Sequence, residues 1–184
     1  MNFPEQLPIR NFLTGRPYVV VPASAVPNVD ATQTRVAAIC NEPHIYTMIF
    51  SGLLNGRPYS SSDAEGFLSW AQKGWDENTH FVFFIMDSRR EIVGCLDIKS
   101  HVRDNAEIGY WASALHPGNM TQALASVMKA AEDEGFYRFV AYVKADNHAS
   151  VKVLQRVGFV QDELFSEKPD CNAFVHCLTV GNEA

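Results

Sequence analysis

The chain has 184 residues, 47% of them hydrophobic and 20% charged, with a net charge of −6 and a pI near 5.4. This is a globular composition that argues against disorder, and no run of Lys or Arg forms a basic stripe, which argues against nucleic acid as a partner. The length suits one domain spanning residues 1–184, and the acidic balance suits a cationic partner such as an amine.

No stretch is apolar for long enough to cross a bilayer, so no membrane partner is expected. The start, Met-Asn-Phe-Pro-Glu-Gln, lacks a basic segment followed by an apolar core and does not read as a signal peptide. Cys40, Cys95, Cys171 and Cys177 form no C-x-x-C pair, and Cys40 and Cys95 read as buried thiols. Reduced cysteines fit a cytoplasmic setting.

In chain order, a Pro-rich start surrounds one short strand, Tyr18 to Val21. A helix is predicted from Asp30 to Ile39, with Val36, Ile39 and Cys40 on one stripe, broken at Pro43. A loop, "NGRPYSSSD", leads into a helix capped by Ser62 or Asp63 and carrying Phe67, Leu68, Ala71 and Trp75. "FVFFIMDSRREIVGCLDI" reads as two strands joined by a turn at Asp87–Arg90, and "NAEIGYWA" as a third. A helical stripe through Met120, Leu124, Val127, Met128 and Ala131 ends at Gly135. "RFVAYVKA" is a strand, "NHASVKVLQRVGF" a helix, and "FVQDELF" and "AFVHCLTV" two more strands. The last helix should be capped by Asn147 and bury Val151, Leu154 and Val157. It should end at Gly158, with Phe159 folded back toward Leu154.

The second half is thus β-β-β-α-β-α-β-β, a mixed α/β arrangement. The β-α-β unit from Ala106 to Lys144 requires parallel strands, and ligands of open α/β sheets sit beyond the carboxyl ends of such strands. The loop "ASALHPGN" and the start of the helix at Asn147 meet at that end.

"EIGYW", "TQAL", "FYRFVAYVKADNHASVKVLQRVGF" and the final strand pair, from Phe81 to Val180, resemble the GCN5-related N-acetyltransferases (GNAT). In appearance they are most similar to the branch that acetylates ribosomal-protein N-termini. The resemblance implies a GNAT fold, with a central, mostly antiparallel sheet flanked by helices. Its one parallel pair, here 105–112 and 138–144, splays to admit acetyl-CoA. It further implies that the pantetheine arm pairs with Ile108, Gly109, Tyr110, Trp111 and Ala112. The pyrophosphate would lie on Leu115, His116, Gly118, Asn119, Met120, Thr121 and Gln122, and Asn147 and Ser150 would approach the thioester. One departure stands out. Against the family's Q/R-x-x-G-x-G/A loop, Gly118 falls on the last glycine, but His116 falls on the first and Ser113 on the Arg/Gln position. Pro117 also removes an N–H donor.

Acetyl transfer to an amine needs a group to take the amine proton, a donor for the developing oxyanion and an acid for the leaving thiolate. By the resemblance, Glu107 is the candidate base, with Asp97 and His101 as substitutes, and Ser150 is the candidate acid. Against these roles stand a solvated carboxylate near a strand end and a hydroxyl that merely bonds backbone. Tyr110 and Trp111, on a central strand, either line the acceptor side or belong to the core, and Trp70 and Trp75 stand in the same relation to the cleft. No His, Cys or acidic spacing suits a metal, and none is needed for direct attack on the thioester. The expected function is therefore acetyl-CoA-dependent N-acetylation of a primary amine, on a protein N-terminus or a small molecule, in a protein able to be a homodimer. The alternative, motivated by the altered loop, is a non-catalytic module that binds an acyl-CoA or another ligand.

Overall fold

The computed structural model describes residues 1–162, 168 and 170–177. Its strands are β1 (Leu7–Arg10), β2 (Pro17–Pro22), β3 (Phe81–Met86), β4 (Ile92–Ile98), β5 (Ala106–Ala112), β6 (Arg138–Lys144), β7 (Val160–Asp162) and β8 (Cys171–Cys177). The helices are α1 (Asp30–Cys40), the short α2 (Pro43–Ile45) that runs into a π-helical turn over Tyr46–Phe50, α3 (Ser61–Glu77), α4 (Met120–Asp133) and α5 (His148–Arg156).

The strands form one sheet in the order β1-β2-β3-β4-β5-β6-β8-β7. Every neighbouring pair is antiparallel except β5 and β6. The expected β-α-β unit therefore stands at the centre of the sheet, with α4 as its crossover. Side-chain alternation divides the core into two layers. Phe81, Phe83 and Ile85 of β3 join Leu124, Val127 and Leu154 on the face covered by α4 and α5. Val82 and Phe84 join Val36, Ile39, Leu68 and Ala71 on the face covered by α1 and α3. Burial on both faces explains why β3 reads as an unbroken apolar run.

Strand β1 went unread in the sequence because only Ile9 of its four residues is buried and Pro8 interrupts it. As an edge strand it tolerates the proline. The cap of α3 also differs from expectation. Ser60 caps the helix, not Ser62 or Asp63: its hydroxyl accepts from the Asp63 N–H, and the Asp63 carboxylate accepts from the Ser60 N–H. Three consecutive serines could each serve. The carboxylate three residues on selects Ser60 by closing a capping box, and Arg57 pins that carboxylate at 2.6 and 2.8 Å.

Helix α5 has the expected cap and stop, but of the expected stripe only Leu154 is fully buried, with Val151 and Val157 partly buried against the core. The Asn147 side chain accepts from the Ser150 N–H at 3.2 Å. At the far end Gly158 has φ +92°, its N–H donates to the Gln155 carbonyl, and the Phe159 N–H donates to the Leu154 carbonyl. Those two bonds are the Schellman pair, with Phe159 and Leu154 both buried beneath it. Strands β7 and β8 appear where expected, and the parts of their expected ranges at 163–165 and 178–180 lie outside the described residues.

Candidate active site

Strands β5 and β6 pair only through Ala106–Phe139 and Glu107–Val140. Beyond that point they part. The Lys99 N–H donates to the Glu107 carbonyl and the Ser113 N–H to the Val93 carbonyl, so odd-numbered residues of β5 turn their polar backbone toward β4. The N–H and C=O groups of Ile108, Tyr110 and Ala112 therefore face the gap. A cavity of about 230 Å³ opens there, bounded by the end of β5, the loop before α4, the start of α5 and the turn at His44–Ile49.

The loop is held from outside its own sequence. Glu42 accepts from the Ser113 hydroxyl at 2.5 Å and the Ala114 N–H at 2.7 Å. The Leu115 N–H donates to the Ser113 hydroxyl and the His116 N–H to the Ser113 carbonyl. Below, Asn11 donates to the Pro117 carbonyl, Phe12 donates to the Gly118 carbonyl, and Tyr18 bonds His116 Nδ1 at 3.0 Å. Among the described residues the N–H groups of Gly118 to Gln122 find no partner; the first bond of α4 runs from Ala123 to Asn119. Asn119 is fully buried, lines the cavity, and neither its amide nitrogen nor its amide oxygen has a partner. A buried amide without partners is costly, and a polar group entering the cavity would satisfy it.

Across the gap, the Tyr110 hydroxyl lies 2.6 Å from Ser150 Oγ, joining β5 to the first turn of α5. Burial pushes the Tyr110 hydroxyl up to about 12, against the opposing effect of the Ser150 bond, so it stays a donor at neutral pH.

Glu107 stands on the last paired rung before the strands part. Its side chain is half-buried, and Oε1 accepts from Lys99 Nζ at 2.6 Å and Lys168 Nζ at 2.5 Å. Burial alone would raise its pKa; the two ammonium groups outweigh it and hold the carboxyl below its ordinary range. Asp97 lies opposite Gly109, with Oδ1 buried and unpartnered, and burial raises its carboxyl against the pull of Lys99. A Cβ on Gly109 would come within 2.5 Å of that oxygen, so only glycine fits beside it.

Of the expected site residues, Tyr110, Trp111 and Ala112 reach the cavity, as do Asn147 and Ser150 and the loop residues His116, Gly118, Asn119 and Met120. Ile108 is buried in the core, and Leu115 is 79% exposed and points away. Glu107 and Gly109 do not line the cavity; Glu107 lies three residues before Tyr110, about 10 Å along the strand. Thr121 and Gln122 contribute backbone rather than cavity wall. His101 is exposed beyond β4. Trp75 donates to the Val82 carbonyl and packs on Phe81 and Phe83, while Trp70 stacks on His80 at 3.9 Å; both serve packing. Sequence reasoning missed Asn11, Tyr18 and Glu42, whose partners lie 71 to 106 residues away and leave no local signal. Cys40 and Cys95 are buried as expected. Among the described residues no helix is long and apolar enough to cross a membrane, and no group of three His, Cys, Asp or Glu is placed to hold a metal.

A central parallel pair that parts after two rungs, beside a helix start with unclaimed N–H groups, defines the class as a mixed-sheet acetyltransferase fold. The chain belongs to the GNAT acetyltransferase family: the family's acetyltransferase (GNAT) domain matches residues 26–160. Mycobacterium smegmatis RimJ, solved in complex with CoA-disulfide, superposes with a TM-score of 0.73 at 21% identity, covering 95% of this chain and 87% of that one. The microcin C7 self-immunity acetyltransferase MccE, solved with acetyl-CoA and AMP, gives 0.68 at 18% identity over 88% and 92%. A Salmonella typhimurium acetyltransferase that modifies the N-terminal serine of ribosomal protein L7/L12 gives 0.69 at 16% identity over 88% and 95%. At these identities the likeness is one of fold. No curated protein matches the chain.

Proposed function

We propose that the protein transfers an acetyl group from acetyl-CoA to a primary amine by direct attack of the amine on the thioester. The observation that carries this reading is the opened β5–β6 gap leading to five free N–H groups and the unpartnered amide of Asn119. These residues fit the co-substrate. The inward-facing backbone of Ile108, Tyr110 and Ala112 suits the amides of the pantetheine arm, and an N–H of that strand can donate to the thioester oxygen. Gly118 to Gln122, at the positive end of α4, suit the pyrophosphate. His116 and Pro117 remove one close approach and one donor, but the braced loop still presents donors from Gly118 onward.

Ser150 and Tyr110 form a hydroxyl pair on the side of the leaving sulfur, with Ser150 as acid and Tyr110 as its hydrogen-bonded partner. Glu107 is the candidate base. Lys99 and Lys168 keep it ionised at neutral pH, so a pH dependence of turnover near neutrality does not come from Glu107. The acceptor reading that the fold neighbours favour is a protein N-terminus, since the Salmonella protein acts on one. Calorimetry with acetyl-CoA, followed by a screen of N-terminal peptides and small amines with a free-thiol readout, tests the proposal. Binding and thiol release with an amine support it. No binding at millimolar acetyl-CoA refutes it, and binding without turnover on any amine favours the non-catalytic module.

A further inference from the structure

The loop that carries His116 departs from the family pattern at that residue, and the structure shows what the side chain does there. His116 takes a place where a glycine would let backbone approach a phosphate closely. Its ring is half-buried and stands edge-on to Tyr18, with centroids 6.0 Å apart and planes at 90°. The Tyr18 hydroxyl fixes Nδ1 at 3.0 Å, while Nε2 finds no partner among the described residues. A hydroxyl can donate to a neutral imidazole nitrogen or accept from a protonated one, so the tether survives a change of charge.

The charge around the ring is unusual for a diphosphate site. Among the described residues lining the cavity there is no Lys, Arg, Asp or Glu, and the imidazoles of His44 and His116 are the groups that can become cationic. The other titratable groups near the loop are Tyr110 across the cavity, Tyr18 below, the Glu42 carboxylate at Ser113 and Ala114, and Arg156 of α5, whose guanidinium lies over the Phe12 ring at 5.1 Å. Glu42 works against an anion at this loop. Asn119, fully buried with both amide atoms unpartnered, marks the same corner as built for a polar ligand.

We infer that the His116 imidazole is a diphosphate-binding group of this chain, replacing the lost glycine contact with a tethered donor that binds the anion more tightly when protonated. The inference rests on the acetyl-CoA reading and adds to it a pH-dependent affinity for the diphosphate. Histidine is the side chain that ordinarily changes charge between pH 5 and 8. A charged imidazolium bonds an anion more strongly than a neutral ring does. Affinity should therefore rise as pH falls through that range.

The test is calorimetric titration with dephospho-CoA at pH 6 and pH 8. That probe lacks the 3′-phosphate, whose own second ionisation, at about 6, would otherwise mix into the result. The wild-type protein should bind it roughly fivefold to tenfold more tightly at pH 6 than at pH 8. His116→Gln and His116→Gly should both lose most of that difference, His44→Gln should keep it, and pantetheine, which lacks the diphosphate, should show none. A full pH effect retained in both His116 variants, or an equal effect with pantetheine, overturns the inference. Binding of dephospho-CoA with no pH dependence overturns it alone; no binding of dephospho-CoA or acetyl-CoA overturns the acetyl-CoA reading as well.

Discussion

Gly118→Ala tests how the pyrophosphate loop is held. Gly118 has φ +91°, and an added Cβ would lie 2.7 Å from Leu13 Cγ and 2.8 Å from Asn11 Oδ1. Leu13 is 63% exposed and can swing aside. Asn11 is 4% exposed and cannot, because its side chain accepts from Leu13 and Thr14 and donates to Pro117. Left-handed backbone costs a residue with a Cβ roughly 1–2 kcal/mol. Each hydrogen bond of Asn11 that is displaced adds about 0.5–1.5 kcal/mol. A total near 3 kcal/mol follows, equivalent to a drop in Tm of roughly 6–12 °C in a chain of this size. Because the same loop presents the N–H groups of Gly118 to Gln122, acetyl-CoA affinity should fall by about tenfold or more for a loss above roughly 1.4 kcal/mol. Urea denaturation and calorimetry measure the two effects. In the double variant with Asn11→Ala the obstacle is gone, so the combined loss should be smaller than the sum of the single losses. A Gly118→Ala protein within about 0.5 kcal/mol of wild type, with unchanged acetyl-CoA affinity, would refute the bracing argument.

Glu107→Gln should lower amine acetylation by about 100-fold or more without weakening acetyl-CoA binding, and unchanged turnover would remove Glu107 from the mechanism. Ser150→Ala and Tyr110→Phe should each lower kcat by roughly tenfold, and the double variant should be little worse than either, as steady-state kinetics would show; additive losses would mean the two hydroxyls do not act as a pair. Asp63, held below its ordinary range by Arg57 first and by Ser60, contributes stability above its unfolded pKa that is lost as pH falls. Asp63→Ala should therefore cost about 1 kcal/mol in denaturant unfolding at pH 7, an effect that shrinks below about pH 4.

Much of the fold was legible because local chemistry and tertiary structure agree. The stripe through Leu124, Val127 and Met128 announces α4, and "NHASVKVLQRVGF" encodes its own cap, its core contact at Leu154 and its stop. Parallel β5 and β6 follow from the β-α-β order alone. Strand β1 and the cap of α3 were less legible, since one buried residue beside a proline is a faint strand and three adjacent serines are equivalent until a carboxylate chooses among them.

For the candidate site, the sequence by itself determined the backbone framework and the identity of its departures: the strand "EIGYW", the helix start at Asn147 and the substitution of His116-Pro117 in the loop. Only the tertiary structure decided how those parts meet. It set Tyr110 against Ser150, clasped Glu107 between Lys99 and Lys168, and brought Glu42, Asn11 and Tyr18 beneath the altered loop. The physical reason is range. Caps and stripes arise from residues three or four apart, whereas the bonds that support the loop and set its charge join residues 71 to 106 apart, where spacing carries no information.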